Sequence, residues 1–214
     1  MHYRVVIFCF LLCLAAARAE GPGAERVALL RGKLESGLRN MKSMRADFIQ
    51  IRKFRSMGTE WRSQGRMALA ESRMVWNVEK PLRCSFLLTP EAVKQWDEDT
   101  GQVLELNVRD QPWLKVMYES LASWFRGDFS VLERDFTPAA EGERTLCLTP
   151  RSGTFYAGGV KRLELCFDGS CRHAETIRIE ETNGDVITIA LKQVEINPAI
   201  PENVWLIPPV SKKP

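Results

Sequence analysis

His173 is the only histidine beyond His2, and general acid/base work or a metal centre would need companions for it. None is apparent. The chain has no Gly-x-Ser-x-Gly elbow and no His-Glu-x-x-His pair. The carboxylates Asp97 and Asp99, or Glu180 and Glu181, stand where solvated strand ends are the ordinary reading. Four cysteines follow the N-terminal region, Cys84, Cys147, Cys166 and Cys171, and no two of them have the C-x2-C spacing of a zinc site. No catalytic residue, metal ligand or cofactor is assigned.

Those cysteines fit disulfides better than metal. An even count in an oxidising compartment permits two bridges and three connectivities. Cys166 and Cys171 flank Asp168-Gly169, a hairpin signal that would set them directly opposite each other, so a Cys166–Cys171 bridge is expected, with Cys84–Cys147 as the second. Small buried thiols are the alternative. A tight turn here would put Leu163 and Leu165 on the face opposite Ile177 and Ile179, so the hairpin needs a bulge after Cys171.

The first nineteen residues indicate the compartment. Arg4, an apolar run from Val5 to Ala17 and the Ala17-Arg18-Ala19 step read as a signal peptide over 1–19. The run is about 13 residues, short of the roughly 20 that span a bilayer. Cleavage leaves a domain over 20–210 and a loose tail over 211–214, in a soluble, monomeric, periplasmic product. The formal charge of +3 falls to about +1 when Arg4 and Arg18 are removed, a balance that argues against nucleic-acid binding.

The elements that must position these residues are one helix and then mostly strands. From Ala24 to Arg45, Val27, Leu30, Leu34, Leu38, Met41 and Met44 recur at helical spacing. Short alternating segments follow, with Met67 and Leu69, Met74, Trp76 and Val78, and Cys84, Phe86 and Leu88 on one face. Pro112 opens a second helical stretch through Leu114, Met117, Leu121 and Trp124. Strands then resume from Arg144 to Ile207. The Asn183-Gly184 turn needs one residue beyond the tight two, so that Ile177 and Ile179 face the apolar set of the next strand, Ile189 and Leu191.

The fold class is mainly β (α+β): roughly ten antiparallel strands in meander order, too many to stay flat, with helices whose apolar stripes must be buried. Such a sheet encloses either a filled core or a lined cavity. Periodicity alone leaves both open.

The run Phe48-Ile49-Gln50, Gly65 opening an alternating strand, Met74-Val75-Trp76 before Lys80-Pro81, Leu148-Thr149-Pro150, Ile179 through Gly184-Asp185, and Ile196-Asn197 to Pro201 with Pro208-Pro209 resemble the LolA family of periplasmic lipoprotein carriers. The resemblance spans nearly the whole domain. It implies an unclosed antiparallel β-barrel of about ten to eleven strands, with helices as a lid over a hydrophobic cavity. It also implies partners: acylated lipoproteins or other lipids as cargo, an inner-membrane exporter as donor and an outer-membrane acceptor. Members often carry an Arg-Pro turn before the tryptophan strand; here the turn reads Glu71-Ser72 and Arg73 is displaced into the strand, so no lid-coupling role is assigned to it. Together with Trp124-Phe125 and Gly127-Asp128-Phe129, this resembles a divergent branch found beside exporters of other lipids.

Under that resemblance the lipid-contacting wall comprises Phe48, Met67, Leu69, Met74, Trp76, Phe86, Leu88, Ile177, Ile179, Ile187, Ile189 and Leu191, with Leu114, Met117, Leu121 and Trp124 from the lid. Methionines suit a wall that adapts to variable chains. A plain core position is the competing reading for each. Trp96 is a second candidate for the mouth, Trp113 for the lid, Trp61 for a partner contact and Trp205 for the core. The basic group Arg52, Lys53 and Arg55 is available to headgroups or an acidic partner loop, with a solvated face as the default. Stress-response sensors of the RseB type reuse this fold to bind misplaced lipoproteins, and are the alternative function.

Overall fold

The computed structural model describes residues 22–70, 72–110, 115, 118, 119, 123 and 128–208. Segments 1–19 and 211–214 and the expected lid residues Trp113, Leu114, Met117, Leu121 and Trp124 lie outside them. Lys115, Tyr118, Glu119 and Ser123, from the stretch that Pro112 was expected to open, are each helical.

Helix α1 spans Pro22–Leu38 and is followed by β1 (Ser43–Phe54), β2 (Thr59–Ala70), β3 (Arg73–Lys80), β4 (Cys84–Leu88), β5 (Ala92–Asp97) and β6 (Val103–Asn107). A short helix α2 (Ser130–Asp135) precedes β7 (Phe136–Glu141), β8 (Thr145–Pro150), β9 (Val160–Phe167), β10 (Ala174–Glu181) and β11 (Val186–Ile196). All eleven strands form one antiparallel sheet in the order β6-β5-β4-β3-β2-β1-β11-β10-β9-β8-β7. The sheet is unclosed, with β6 and β7 as its edges.

Leu30, Leu34 and Leu38, spaced by one helical turn, put one stripe of α1 against Leu146, Leu148, Leu165 and Phe167. Phe129 and Leu132 complete that cluster. Helix α1 stops at Leu38, before Met41 and Met44, which helical spacing predicts as its continuation. From Met44 the period changes to two: Met44, Ala46 and Phe48 are buried on one face of β1. Asn197, in the left-handed conformation at φ 60°, fixes the break. Its side-chain oxygen accepts the Lys42 N–H at 2.7 Å, and its amide donates to the Asn40 carbonyl at 3.0 Å. The Ile196-Asn197 step thus satisfies backbone groups of the turn that joins α1 to β1.

A smaller core lies on the other face of the sheet. Ala68, Val75 and Leu87 form a cross-strand row covered by Trp205, with Ile200, Val204 and Ile207 packed around it. The segment from Val204, expected as a strand, is instead part of a 3-10 turn over Glu202–Trp205 that lies across this row. Arg73 belongs to this outer cover: its guanidinium is 4.7 Å from the Trp205 ring centroid and 3.2 Å from the Glu202 carboxylate.

Candidate functional site

Strand register places the expected wall on one face. Ala46 opposes Met67, which opposes Trp76, which opposes Phe86; Met44 opposes Leu69, then Met74, then Leu88. On the other side Phe48 opposes Leu191, Ile189 opposes Ile177 and Ile187 opposes Ile179. All twelve described candidates therefore share the face that α1 covers.

The register on this side depends on two turns. Between β10 and β11 the Glu181 N–H bonds to the Asp185 carbonyl around Thr182, Asn183 and Gly184, the three-residue loop the alternation required. Between β9 and β10 an irregularity falls between Ala174 and Thr176, which brings Ile177 opposite Leu165. The need for a bulge is met.

The disulfide expectation is not. All four thiols are free. Pairing of β9 with β10 ends at Phe167 and Ala174, so Asp168 to His173 forms a longer loop in which Cys171 takes φ 56°, and Cys166 faces Thr176 instead. Asp168 organises that loop, its carboxylate accepting the N–H groups of Ser170 at 2.9 Å, Arg172 at 2.6 Å and His173 at 3.1 Å. Cys84 on β4 and Cys147 on β8 have six strands between them. Burial pushes the Cys84, Cys147 and Cys171 thiols up, as for inert buried cysteines.

Between the end of α1 and the sheet lies a cavity of about 210 Å³ lined by Leu38, Met41, Met44, Met67, Met74, Trp76, Leu165, Phe167, His173, Ala174, Ile177 and Leu191. Met67, Met74, Trp76, Ile177 and Leu191 were expected there. Phe48, Leu69 and Ile189 support the wall from the same cluster, while Phe86, Leu88, Ile179 and Ile187 share the face without lining the cavity. Trp96 opposes Ser85 on the outer face and is not part of it.

The sequence reading missed Leu38, Met41, Met44, Leu165, Phe167, His173 and Ala174. Met41 and Met44 were absorbed into a helix stripe, and the change from helical to strand period at Met44 was the available signal. His173 is the one polar side chain in the wall among the described residues. Its Nδ1 is 3.6 Å from the Asp168 carboxylate and has no hydrogen-bond partner among the described residues.

Two glycines let the walls close. A Cβ on Gly37 of α1 would lie 2.3 Å from the Cys171 carbonyl oxygen, so only glycine allows the helix to seat against the β9–β10 loop. A Cβ on Gly65 would lie 1.9 Å from the Asn77 carbonyl oxygen, where β2 and β3 step in register.

The family model of the outer membrane lipoprotein carrier protein LolA matches residues 39–206, every strand of this sheet. The chain belongs to the LolA family. No curated protein sequence matches it significantly. Among solved structures, this LolA-family chain is similar to a putative outer membrane lipoprotein-sorting protein domain of Vibrio parahaemolyticus, with TM-score 0.50 and 10% identity over 85% of this chain and 96% of that one. It is similar to a chain of the Pseudomonas aeruginosa MucA/MucB complex, with TM-score 0.50 and 16% identity over 86% of this chain and 61% of that one. A third likeness, to the Mycobacterium tuberculosis lipoprotein LppX, has TM-score 0.43 and 12% identity over 83% and 97% of the two chains. At these identities the likeness is one of fold. No described helix is long and apolar enough to cross a membrane.

Proposed function

We propose that this LolA-family chain binds acyl chains in the cavity beneath α1 and carries lipid-bearing cargo between the two membranes of a cell envelope. The observation that supports this reading is the cavity wall: among the described residues, eleven of the twelve that line it are apolar, and four are methionines. A wall of this kind holds hydrocarbon by non-directional contact and lets go of it without breaking hydrogen bonds. Each buried methylene is worth about 0.8 kcal/mol, so a chain of about 16 carbons gains on the order of 10 kcal/mol before ordering costs.

An apolar cavity of about 150 Å³ stays dry and takes benzene. The 210 Å³ here has room for part of one acyl chain. Loading a longer chain requires the flexible methionines to repack and the end of α1 to shift, and α1 competes for the cavity through Leu38. The resemblance read in the sequence supports a periplasmic carrier that works between an exporter and an acceptor.

Native mass spectrometry of protein purified from its own cells, together with uptake of a fluorescent fatty acid, tests the reading. Bound lipid or saturable uptake is expected. Recovery of empty protein that takes up no probe would overturn it.

A further inference from the structure

Over most of the sheet, cations are matched to carboxylates on a neighbouring strand: Arg45 with Glu195, Arg66 with Glu79, Lys94 with Glu105, Arg178 with Glu164. The far end of the β1–β2 hairpin departs from this pattern. Lys53, Arg55 and Arg62 are exposed, and among the described residues none of their side-chain cations has a carboxylate oxygen within 4.0 Å, although Lys53 is directly opposite Glu60 and the Arg55 backbone N–H donates to the Asp185 carboxylate at 3.0 Å.

The same hairpin carries two exposed large apolar side chains, Met57 at 63% and Trp61 at 47%. Strand β3 pairs with β2 only from Gln64 to Ala70, and β11 pairs with β1 only as far as Lys53. Glu60 to Ser63 therefore has no β3 neighbour and is joined to the sheet only through β1, and Phe54 to Thr59, turning at Gly58 with φ +62°, has no sheet neighbour on either side, so the end of the hairpin forms an arm.

We propose that this arm docks the protein on an anionic lipid surface. An indole is favoured at the headgroup level, a methionine adapts to disordered chains, and each nearby Lys or Arg adds attraction to anionic lipid. A stable protein partner would need about 800 Å² of surface on each side, whereas an interfacial anchor needs only a few apolar side chains flanked by cations, which is what the tip presents. The arm lies outside the cavity wall, so this inference stands whether or not the cavity carries cargo.

Flotation with vesicles of phosphatidylcholine alone, and of phosphatidylcholine with one quarter phosphatidylglycerol, tests it. The protein is expected to bind the anionic vesicles, and to bind them more weakly as salt rises from about 50 mM to about 500 mM. The Met57→Ser/Trp61→Ser and Arg55→Glu/Arg62→Glu pairs are each expected to lower the partition coefficient about tenfold or more, with thermal midpoint and fatty-acid uptake preserved. Brominated lipid should quench tryptophan emission in the native protein, and Trp61→Phe should remove that quenching without touching the fold. Absence of vesicle binding at low salt, binding unchanged in both paired variants, or capture of an acidic peptide without vesicle binding would each overturn the proposal.

Discussion

Phe48 and Trp76 stack with ring centroids 3.8 Å apart and planes at 21°, although the strands that carry them are separated by β2. Phe48 opposes Gly65 on that intervening strand, and Trp76 pairs with Met67, two residues further along the same face. The two rings join β1 to β3 across the sheet. Phe48 is fully buried and Trp76 lines the cavity, so the stack is core at one end and wall at the other.

Phe48→Ala is accordingly expected to cost about 3–5 kcal/mol of stability, read by chemical denaturation. Trp76→Leu should cost less and instead change the affinity for a fluorescent fatty acid.

Met74→Asp places a carboxylate in a wall whose only polar side chain, among the described residues, is His173. Uptake should fall at least tenfold, because burying an unpaired charge costs several kcal/mol, while circular dichroism keeps the strand signature. Met74→Leu should retain uptake. Equal uptake in the Asp variant would remove Met74 from the functional wall.

Gly37→Ala drives a methyl into the Cys171 carbonyl, so either α1 or the β9–β10 loop must move. A loss of about 1–3 kcal/mol is expected by thermal or urea denaturation. Gly32→Ala on the same helix has open space around its Cβ position and should be neutral or stabilising.

The loop built on Asp168 gives a pH signature. Burial alone would raise its carboxyl, but the Ser170 hydroxyl and the N–H groups of Ser170, His173 and Arg172 outweigh burial and hold it at about 2. The folded value lies below the model-peptide value near 3.9. The stabilisation is therefore fully present above pH about 4 and is lost as pH falls toward about 2. Asp168→Ala should lower stability at neutral pH by about 1–2 kcal/mol and flatten this acid limb in a pH series of thermal midpoints.

Arg73 acts on the outer face. Arg73→Ala is expected to loosen the Glu202–Trp205 cover, by no more than about 1 kcal/mol for the exposed ion pair, and to leave fatty-acid uptake unchanged. A selective loss of uptake would instead tie Arg73 to the cavity.

Much of this molecule was legible in its alternations. Met67 and Leu69, Met74 and Trp76, and Phe86 and Leu88 could share a face only in one register, and the Ile177 and Ile179 set demanded both the three-residue loop and the bulge that the sheet contains. Local pattern carries such information because side chains alternate strictly along a strand. It carries less where two periods coincide, which is why Met41 and Met44 read as helix until Asn197 is seen to hold the break.

What the tertiary structure alone decided depends on which distant segments meet. That Cys166 faces Thr176 and not Cys171 follows from where pairing ends, under the pull of the Asp168 carboxylate on three N–H groups. That a space remains among Leu38, the methionines and Trp76 depends on how far α1 approaches the sheet, a distance limited by Gly37 against Cys171. Sequence dictates which faces are apolar; whether two such faces meet solidly or leave room between them is a matter of packing between residues far apart in the chain.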